Sequence, residues 1–331
     1  MKLFQLGSCN TGQLSEETAG ILAEGGIAIV PTDTVYGIIC DGLNQSAKEK
    51  VFLMKGRPSE KPLIGFVDSM DKASRFAHIP RNTAPFVRQR WPGAATFLFR
   101  ATENLPGMTS GSGKMAFRIP RHDFISGICR RFDIIASTSA NISGRCDACC
   151  TMEIPGNLKE LADIVICGGR VKGRPSAIWD ATVSPPCLLR GNVLFVCEGN
   201  SCRSPMAEFL LKERLKGTGS MIKVESGGTG ILNCASASPY TYQVMKEKGI
   251  DIHGFISRPV TTFILGNSDL IFAMEEKHRE AILSVMPEYS DRIEVLGLRD
   301  PAGSDIDTYR RTREKLEILI DKIVIPRICL K

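Results

Sequence analysis

Val193-Leu194-Phe195-Val196-Cys197-Glu198-Gly199-Asn200-Ser201-Cys202-Arg203-Ser204-Pro205 decides the fold of the second half of the chain. Four apolar residues of strand type run into a short loop, and Pro205 stands in the first turn of the helix beyond it, a favoured place for proline. Strand, tight loop and helix in this order aim several backbone N–H groups and the positive end of a helix at one point, a seat for a phosphoryl dianion. The same field is expected to lower the pKa of Cys197 and leave it a thiolate nucleophile at neutral pH. Arg203, six residues on, can curl back and grip two phosphoryl oxygens with its planar fork. Gly199 and Asn200 tolerate the left-handed backbone that such a curl needs. Asp300-Pro301, in a loop rich in Gly and Asp, supplies the general-acid candidate. Taken singly, Cys197 reads as a core cysteine and Asp300 as a helix-flanking cap. The complete C-x5-R-S-P between strand and helix outweighs that reading.

Outward from this loop, strands at 193–196, 222–226 and 270–273 alternate with helices at 205–215, 240–248, 277–286 and 307–323. Regular alternation of this kind predicts a doubly wound parallel sheet. Upstream of Ser184-Pro185-Pro186 the pattern is less regular. An acidic, helix-like stretch opens residues 15–30 and leads into Gly26-Ile27-Ala28-Ile29-Val30, a strand stopped by Pro31. Residues 46–54 have helical spacing with Ser46 as cap, and short apolar strands follow at 96–99, 115–119, 134–136 and 164–167. This mixture predicts an α/β domain. A chain of 331 residues and 36.2 kDa is about two domains long, here 1–190 and 191–331. No Gly/Ser-rich linker separates them.

Hydrophobic residues at 43% and charged residues at 24% are the balance of a globular protein with real cores. No apolar run reaches the roughly 18 residues of a membrane span, and residues 1–10 lack a basic start followed by an apolar stretch. A cytoplasmic protein with no membrane partner is expected. Residues 1–190 carry 23 Lys+Arg against 17 Asp+Glu, and 191–331 carry 19 against 19, so the net charge of +6 sits wholly in the first domain. An anionic ligand there, nucleotide or nucleic acid, is implied. Twelve cysteines in a chain this long show no disulfide framework. Cys146, Cys149 and Cys150 contain one C-x2-C but no fourth ligand lies nearby, so they read as free thiols and no metal site is expected.

The loop at 197–205 and the late Asp-Pro resemble the low-molecular-weight protein tyrosine phosphatase family over nearly all of 192–325. The resemblance implies a phosphocysteine intermediate on Cys197, Arg203 as phosphate clamp, and Asp300 as general acid and then base, with no cofactor. Glu198, Gly199, Asn200, Ser201, Cys202 and Ser204 complete the phosphate loop, Ser204 supporting the thiolate and Cys202 able to form a protective disulfide with Cys197. Ala302 stands where tyrosine phosphatases of the family carry an aromatic wall. With Ser201 after the loop Asn, it resembles the protein arginine phosphatase branch. A small residue at 302 removes a stacking surface for phenol, and an acidic loop suits a guanidinium. Phosphoarginine proteins are the favoured substrates and phosphotyrosine proteins the alternative. Arsenate reductases share fold and loop, but only Cys234 and Cys329 remain as a further pair, far apart in sequence.

Between residues 31 and 190, Pro31-Thr32-Asp33-Thr34-Val35-Tyr36-Gly37, Lys55-Gly56-Arg57 with Lys61, Trp91-Pro92-Gly93, Arg118-Ile119-Pro120, Ser139-Ala140-Asn141-Ile142-Ser143-Gly144 and Leu189-Arg190-Gly191 succeed one another. Each alone has a bland reading as a turn, a solvated charge cluster or a strand end. No G-x4-G-K-[ST] loop is present. In sequence they resemble the threonylcarbamoyl-AMP synthase (YrdC-like) family over about 15–190. The resemblance implies that L-threonine, bicarbonate and ATP with Mg2+ give threonylcarbamoyl-AMP and pyrophosphate, the first half of making the t6A base of tRNA. It puts Lys55, Arg57 and Lys61 on the triphosphate and Ser139, Asn141 and Arg190 around the nucleotide. Thr34, Arg118 and Ser176 would hold the threonine, Arg118 on its carboxylate. The chain departs from the family at Thr138, Ala177 and Phe66, positions usually held by Pro, Thr and, in some members, His. A fusion of the two enzymes is expected, with tRNA and t6A-pathway proteins as further partners. The rival reading of the first domain is an RNA-binding module that no longer catalyses.

Overall fold

The computed structural model describes residues 2–7, 10–58, 60–231 and 233–329. The chain divides into two compact units, Met1–Pro186 and Cys187–Lys331. Leu188 to Gly191, expected at the boundary of the first domain, run in the first strand of the second unit.

In the first unit the strands are β1 (Lys2–Gln5), β2 (Ala28–Val30), β3 (Gly37–Asp41), β4 (Ile64–Phe66), β5 (Ala77–His78), β6 (Ala95–Ala101), β7 (Lys114–Arg118), β8 (Ile135–Ser139), β9 (Ile164–Cys167) and β10 (Ala177–Asp180). They form a mixed sheet in the order β1-β9-β2-β3-β8-β4-β7-β6-β10, with β5 antiparallel to β6. Helices α1 (Thr11–Ala23), α2 (Gln45–Lys55), α3 (Met70–Phe76), α4 (Ala84–Arg88), α5 (Asp123–Cys129) and α6 (Gly156–Leu161) accompany it. Leu14 and Leu22 of α1 and Phe124, Ile125 and Ile128 of α5 pack on Val30, Ile39, Ile135, Ile164 and Ile166 of the sheet. Trp91, Phe97, Phe99 and Phe117 form a second, aromatic cluster, its Trp91 ring edge to face with Phe97 and Phe99. The expected cap at Ser46 is displaced. Asn44 caps α2, its Oδ1 accepting the Ala47 N–H at 3.0 Å, so the helix starts one residue earlier. Gly56 ends α2 in a left-handed turn (φ 56°), which turns Arg57 out of the helix.

The second unit bears out the doubly wound reading. Its strands β11 (Cys187–Cys197), β12 (Met221–Gly228), β13 (Leu270–Ala273) and β14 (Ile293–Val295) are all parallel, in the order β12-β11-β13-β14. The helices are α7 (Arg203–Leu215), α8 (Pro239–Lys246), α9 (Thr262–Gly266), α10 (Glu276–Leu283) and α11 (Ile306–Leu319). β11 lies at the switch in strand order, and the loop that leaves its carboxyl end opens into the crevice where such sheets bind ligands. Leu194 and Val196 face Leu265, Ile271 and Ile282 on one side, while Phe195 stacks on Phe272 on the other at 5.6 Å between centroids. α7 begins at Arg203, two residues before the expected start, with Pro205 in its first turn.

Among the described residues no helix is long and apolar enough to cross a membrane, and no group of three or more His, Cys, Asp or Glu could hold a metal ion. Cys146, Cys149 and Cys150 are free thiols. One pairing departs from the expectation of unpaired cysteines: Cys187 and Cys329 form a disulfide, their Cα atoms 5.5 Å apart. The cause is a long-range contact, a bridge of Ile328 to Leu188 with the Cys329 N–H on the Leu188 carbonyl at 2.9 Å.

Truncating Phe124, fully buried between α5 and the sheet, removes a core ring. Phe124→Ala is expected to cost about 3–5 kcal/mol. It should lower the urea midpoint with an unchanged slope in a denaturation experiment.

Candidate functional sites

In the second unit the site is built around Asn200. Its backbone is left-handed (φ 46°), the conformation expected of this loop. Its side chain is fully buried and fully used: Nδ2 donates to Ser204 Oγ (2.9 Å) and Ser226 Oγ (2.8 Å), and Oδ1 accepts the Arg258 N–H (2.9 Å). Asn200 thus ties the loop to β12 and to the segment after α8. Gly228, opposite Cys197 in the β11–β12 register, lies so close to the Glu198 carbonyl that a Cβ there would collide with it.

Cys197 ends β11 with its sulfur buried and 2.9 Å from Ser204 Oγ. Ser204 Oγ accepts from Asn200, and its single hydrogen faces two acceptors, the Cys197 sulfur and the Gly227 carbonyl at 3.4 Å. The backbone N–H groups of Ser204 and Asn200 also converge on that sulfur. The convergence is the one expected, but its effect on ionisation is not. Burial dominates and pushes the Cys197 thiol up, against the lowering by Ser204, the two amides and Arg203. The expected lowering of the Cys197 pKa is therefore corrected to a net rise. The charge of Arg203 is itself already engaged. Its Nη1 donates to Glu275 and to the Leu298 carbonyl (2.9 Å), and Nη2 donates to Asp300 Oδ2 at 2.6 Å. Among the described residues its buried Nε has no hydrogen-bond partner.

Glu275 caps α10 in a reciprocal box with His278, whose Nδ1 accepts the Glu275 N–H at 3.1 Å. Burial works to raise the Glu275 carboxyl, but Arg203 outweighs it and holds the group below its ordinary value. Asp300 is half-exposed beside the guanidinium. Cys202 is a buried thiol in contact with Tyr309 Oη (3.2 Å) and Ser238 Oγ (3.4 Å). Glu198 leaves the loop toward solvent and pairs with Lys277, while Ser201 Oγ lies 3.6 Å from the Cys202 sulfur. Glu275 is the residue missed in the sequence. It directly follows the strand next to β11, and that position at a switch point was the available signal.

The first unit holds two clusters. Lys55, at the end of α2 and 2% exposed, donates to the Ser139 carbonyl and to Asn141 Oδ1 (2.9 Å), which also accepts from Ser139 Oγ (2.7 Å). Three of the expected nucleotide residues are thereby brought together. Arg57 joins the Lys61 segment through Nε on the Lys61 carbonyl (2.8 Å) and Nη2 on the Pro62 carbonyl (3.0 Å). Burial lowers the pKa of Lys55 to about 8, and Arg57 adds to the effect. Arg190 stands apart from this cluster in the division of the chain: it lies on β11 in the second unit, opposite Met221.

The second cluster centres on Arg118, the last residue of β7 and 3% exposed. Nε donates to the Gly93 carbonyl (3.0 Å), Nη1 to Thr34 Oγ1 (2.9 Å) and Nη2 to Asp33. Phe66 lies under the guanidinium, 5.6 Å from its ring centroid. Ser176 Oγ pairs with Thr96 Oγ1 at 2.8 Å, and the neighbouring Ala177 N–H bonds the Ala94 carbonyl, next to Gly93. Asp33 is a second residue that sequence reasoning left without a role. An acid among hydroxyls directly after a strand was the signal for it.

A family model described as Telomere recombination (Sua5, YciO and YrdC proteins) matches residues 20–191. A second, described as Low molecular weight phosphotyrosine protein phosphatase, matches 192–326. The threonylcarbamoyl-AMP synthase of Pyrococcus abyssi is 32% identical over 176 residues, 52% of this chain and 52% of that protein. The chain thus spans about half the length of that relative. The protein-arginine-phosphatase of Bacillus subtilis is 33% identical over 141 residues, 40% of this chain and 93% of its own length. The low molecular weight protein-tyrosine-phosphatase Wzb of Escherichia coli K12 is 36% identical over 123 residues, 37% of this chain and 81% of its own. The crystal structure of P. abyssi Sua5 complexed with L-threonine superposes with a TM-score of 0.54 at 19% identity, covering 96% of this chain and 98% of that one, a likeness in fold.

The buried Lys55 makes stability depend on pH. Its folded pKa of about 8 lies below the ordinary 10.5, so between these values the unfolded chain holds more protons and stability rises with pH. The contribution reaches about 3 kcal/mol across the window. Chemical denaturation at pH 8 and pH 10.5 should show this slope in the native protein and lose it in Lys55→Met.

Proposed function

Because the chain belongs to the Sua5/YciO/YrdC family over its first half and to the low-molecular-weight phosphatase family over its second, we propose a bifunctional enzyme that makes threonylcarbamoyl-AMP and dephosphorylates phosphoarginine proteins. The observation that carries the phosphatase reading is the sulfur of Cys197 at the focus of Ser204 Oγ and the amides of Asn200 and Ser204, with the buried Nε of Arg203 unpartnered. A phosphoryl group in this cradle takes the guanidinium from its carboxylates and offers phosphorus to the sulfur. As Cys197 attacks phosphorus its proton passes to Asp300, the P–N bond breaks, and Asp300 hands that proton to the departing guanidine. Asp300 then takes a proton from the water that cleaves the P–S bond and returns it to the departing sulfur, releasing phosphate and the free thiol. Phosphoarginine is favoured over phosphotyrosine by the acidic rim of Glu198, Glu275 and Asp300 and by the small Ala302.

In the first unit, L-threonine and bicarbonate would condense to an N-carboxy-threonine with loss of water. A carbamate oxygen then attacks the α-phosphate of ATP and pyrophosphate leaves. Lys55, Arg57 and Lys61, with Ser139 and Asn141, supply the cations and polar groups that two converging anions require. That donor set fits a triphosphate, with Mg2+ held by the phosphate oxygens rather than by carboxylates of the chain. Thr34, Arg118 and Ser176 would hold threonine. The product would feed t6A formation on tRNA in the cytoplasm.

Two measurements test these readings. Pyrophosphate release should require threonine, bicarbonate and ATP together; RNA binding with a steep salt slope and no pyrophosphate would replace the synthase by a binding module. Cys197→Ser should abolish turnover of phosphoarginine peptides, by at least about 10³-fold, and leave pyrophosphate release unchanged. A native enzyme that turns over phosphotyrosine peptides faster than phosphoarginine peptides would reverse the substrate assignment.

A further inference from the structure

Arg118 is closed to solvent and each of its three guanidinium nitrogens already has a partner on the protein. Two of these partners, the Gly93 carbonyl and Thr34 Oγ1, are neutral. Only Asp33 is an anion, and its side chain is 11% exposed. A buried guanidinium stripped of its one anion is strongly unfavourable, so a ligand that displaces Asp33 must bring a negative charge of its own. The converse also holds. The carboxylate of Asp33, released in a site this enclosed, must be met by a positive charge.

The turn that carries Asp33 lets this exchange occur without unfolding. Thr32 Oγ1 bonds the Val35 carbonyl (2.7 Å), Thr34 Oγ1 (2.9 Å) and the Thr34 N–H (3.1 Å), so the turn is held by residues on either side of Asp33. The two carboxylate oxygens also differ in their tethers. Oδ1 is on Arg118, whereas Oδ2 accepts the Arg121 N–H at 3.2 Å. The side chain can keep Oδ2 on the Arg121 amide while Oδ1 is given up. His122, the next residue, lies within electrostatic range of both Asp33 and Arg118, and its buried Nδ1 has no hydrogen-bond partner. The corner therefore contains a spare polar atom beside an exchangeable ion pair.

We propose that Asp33 and Arg118 form a split receptor for a zwitterionic α-amino acid, which inserts into the ion pair. The ligand carboxylate replaces Asp33 on Nη2 of Arg118, and the ligand ammonium is received by Oδ1 of Asp33. The proposal deepens the synthase reading, on which its choice of threonine rests, by making Asp33 the determinant that selects an amino acid over a simple carboxylic acid. A carboxylic acid without the amine would displace Asp33 and leave it uncompensated. An amine without the carboxylate would leave Arg118 and Asp33 paired.

Calorimetric titration of the full chain tests this with L-threonine, 3-hydroxybutyrate (the same skeleton without the amine) and L-threonine methyl ester (without the free carboxylate). The native protein should bind threonine at least about tenfold more tightly than either analogue, the size of one lost charge-assisted contact. Asp33→Asn should weaken threonine about tenfold and leave 3-hydroxybutyrate unchanged or tighter, because no internal anion then has to be displaced. Native protein that binds 3-hydroxybutyrate as tightly as threonine would overturn the proposal, as would an Asp33→Asn variant that keeps native threonine affinity. If circular dichroism shows Asp33→Asn unfolded, Asp33→Glu should still prefer threonine to 3-hydroxybutyrate, and equal affinities there would refute the receptor. A native protein that prefers another α-amino acid to threonine, yet rejects that acid's deaminated form, would sink the threonine reading and uphold Asp33.

Discussion

A guanidinium removed from water must be answered by an anion, and both units are arranged around that requirement. Moving such a charge into the interior costs several kcal/mol unless a carboxylate and further hydrogen bonds meet it. Arg203 meets Glu275 and Asp300, and Arg118 meets Asp33. The first set of contacts ties the start of α7 to the end of β13 and to the 298–300 loop. The second ties the end of β7 to the turn after β2 and to Gly93. In each unit the residue that gathers the surrounding loops is also the one best suited to hold an anionic ligand.

Cys197 feels the opposite balance. Arg203, Ser204 and the loop amides favour its thiolate, and burial outweighs them. On the proposed phosphatase reading, an arriving phosphoryl group competes for Arg203 and releases Asp300 from its ion pair. Lys55 shows the same physics with opposite sign. Burial among neutral oxygen acceptors and beside Arg57 brings an amine that ordinarily stays protonated close to neutrality, leaving it responsive to a phosphate.

Much of the second unit was legible from its residues because strand, loop and helix each carry a local signal. The apolar run to Val196, the left-handed Asn200 and the proline in the first turn of α7 all appear where they were read. Local signals also set the errors. Asn44 rather than Ser46 caps α2, since two nearby cap formers compete and geometry chooses between them. The short β1 and β14 and helices α5 and α9 carry little sequence signal because segments of three to seven residues owe their form to packing rather than to propensity. The pairing of Asp33 with Arg118 and of Glu275 with Arg203, unlike the readable positions of the acids themselves, was beyond reach for another reason. Asp33 and Arg118 are 85 residues apart, and Arg203 and Glu275 are 72 apart, separations that only the folded sheet brings together. The Cys187–Cys329 pair, 142 residues apart, is a further case.

The same cystine brings the entry and the exit of the second unit to one spot, at the amino end of its central strand and opposite the nucleophile at the other end. A module whose chain enters and leaves at one corner is topologically a closed ring. A cut at a surface turn within it, such as the one holding Gly217 and Gly219, would leave the two pieces joined by the cystine and the order of strands around Cys197 unchanged.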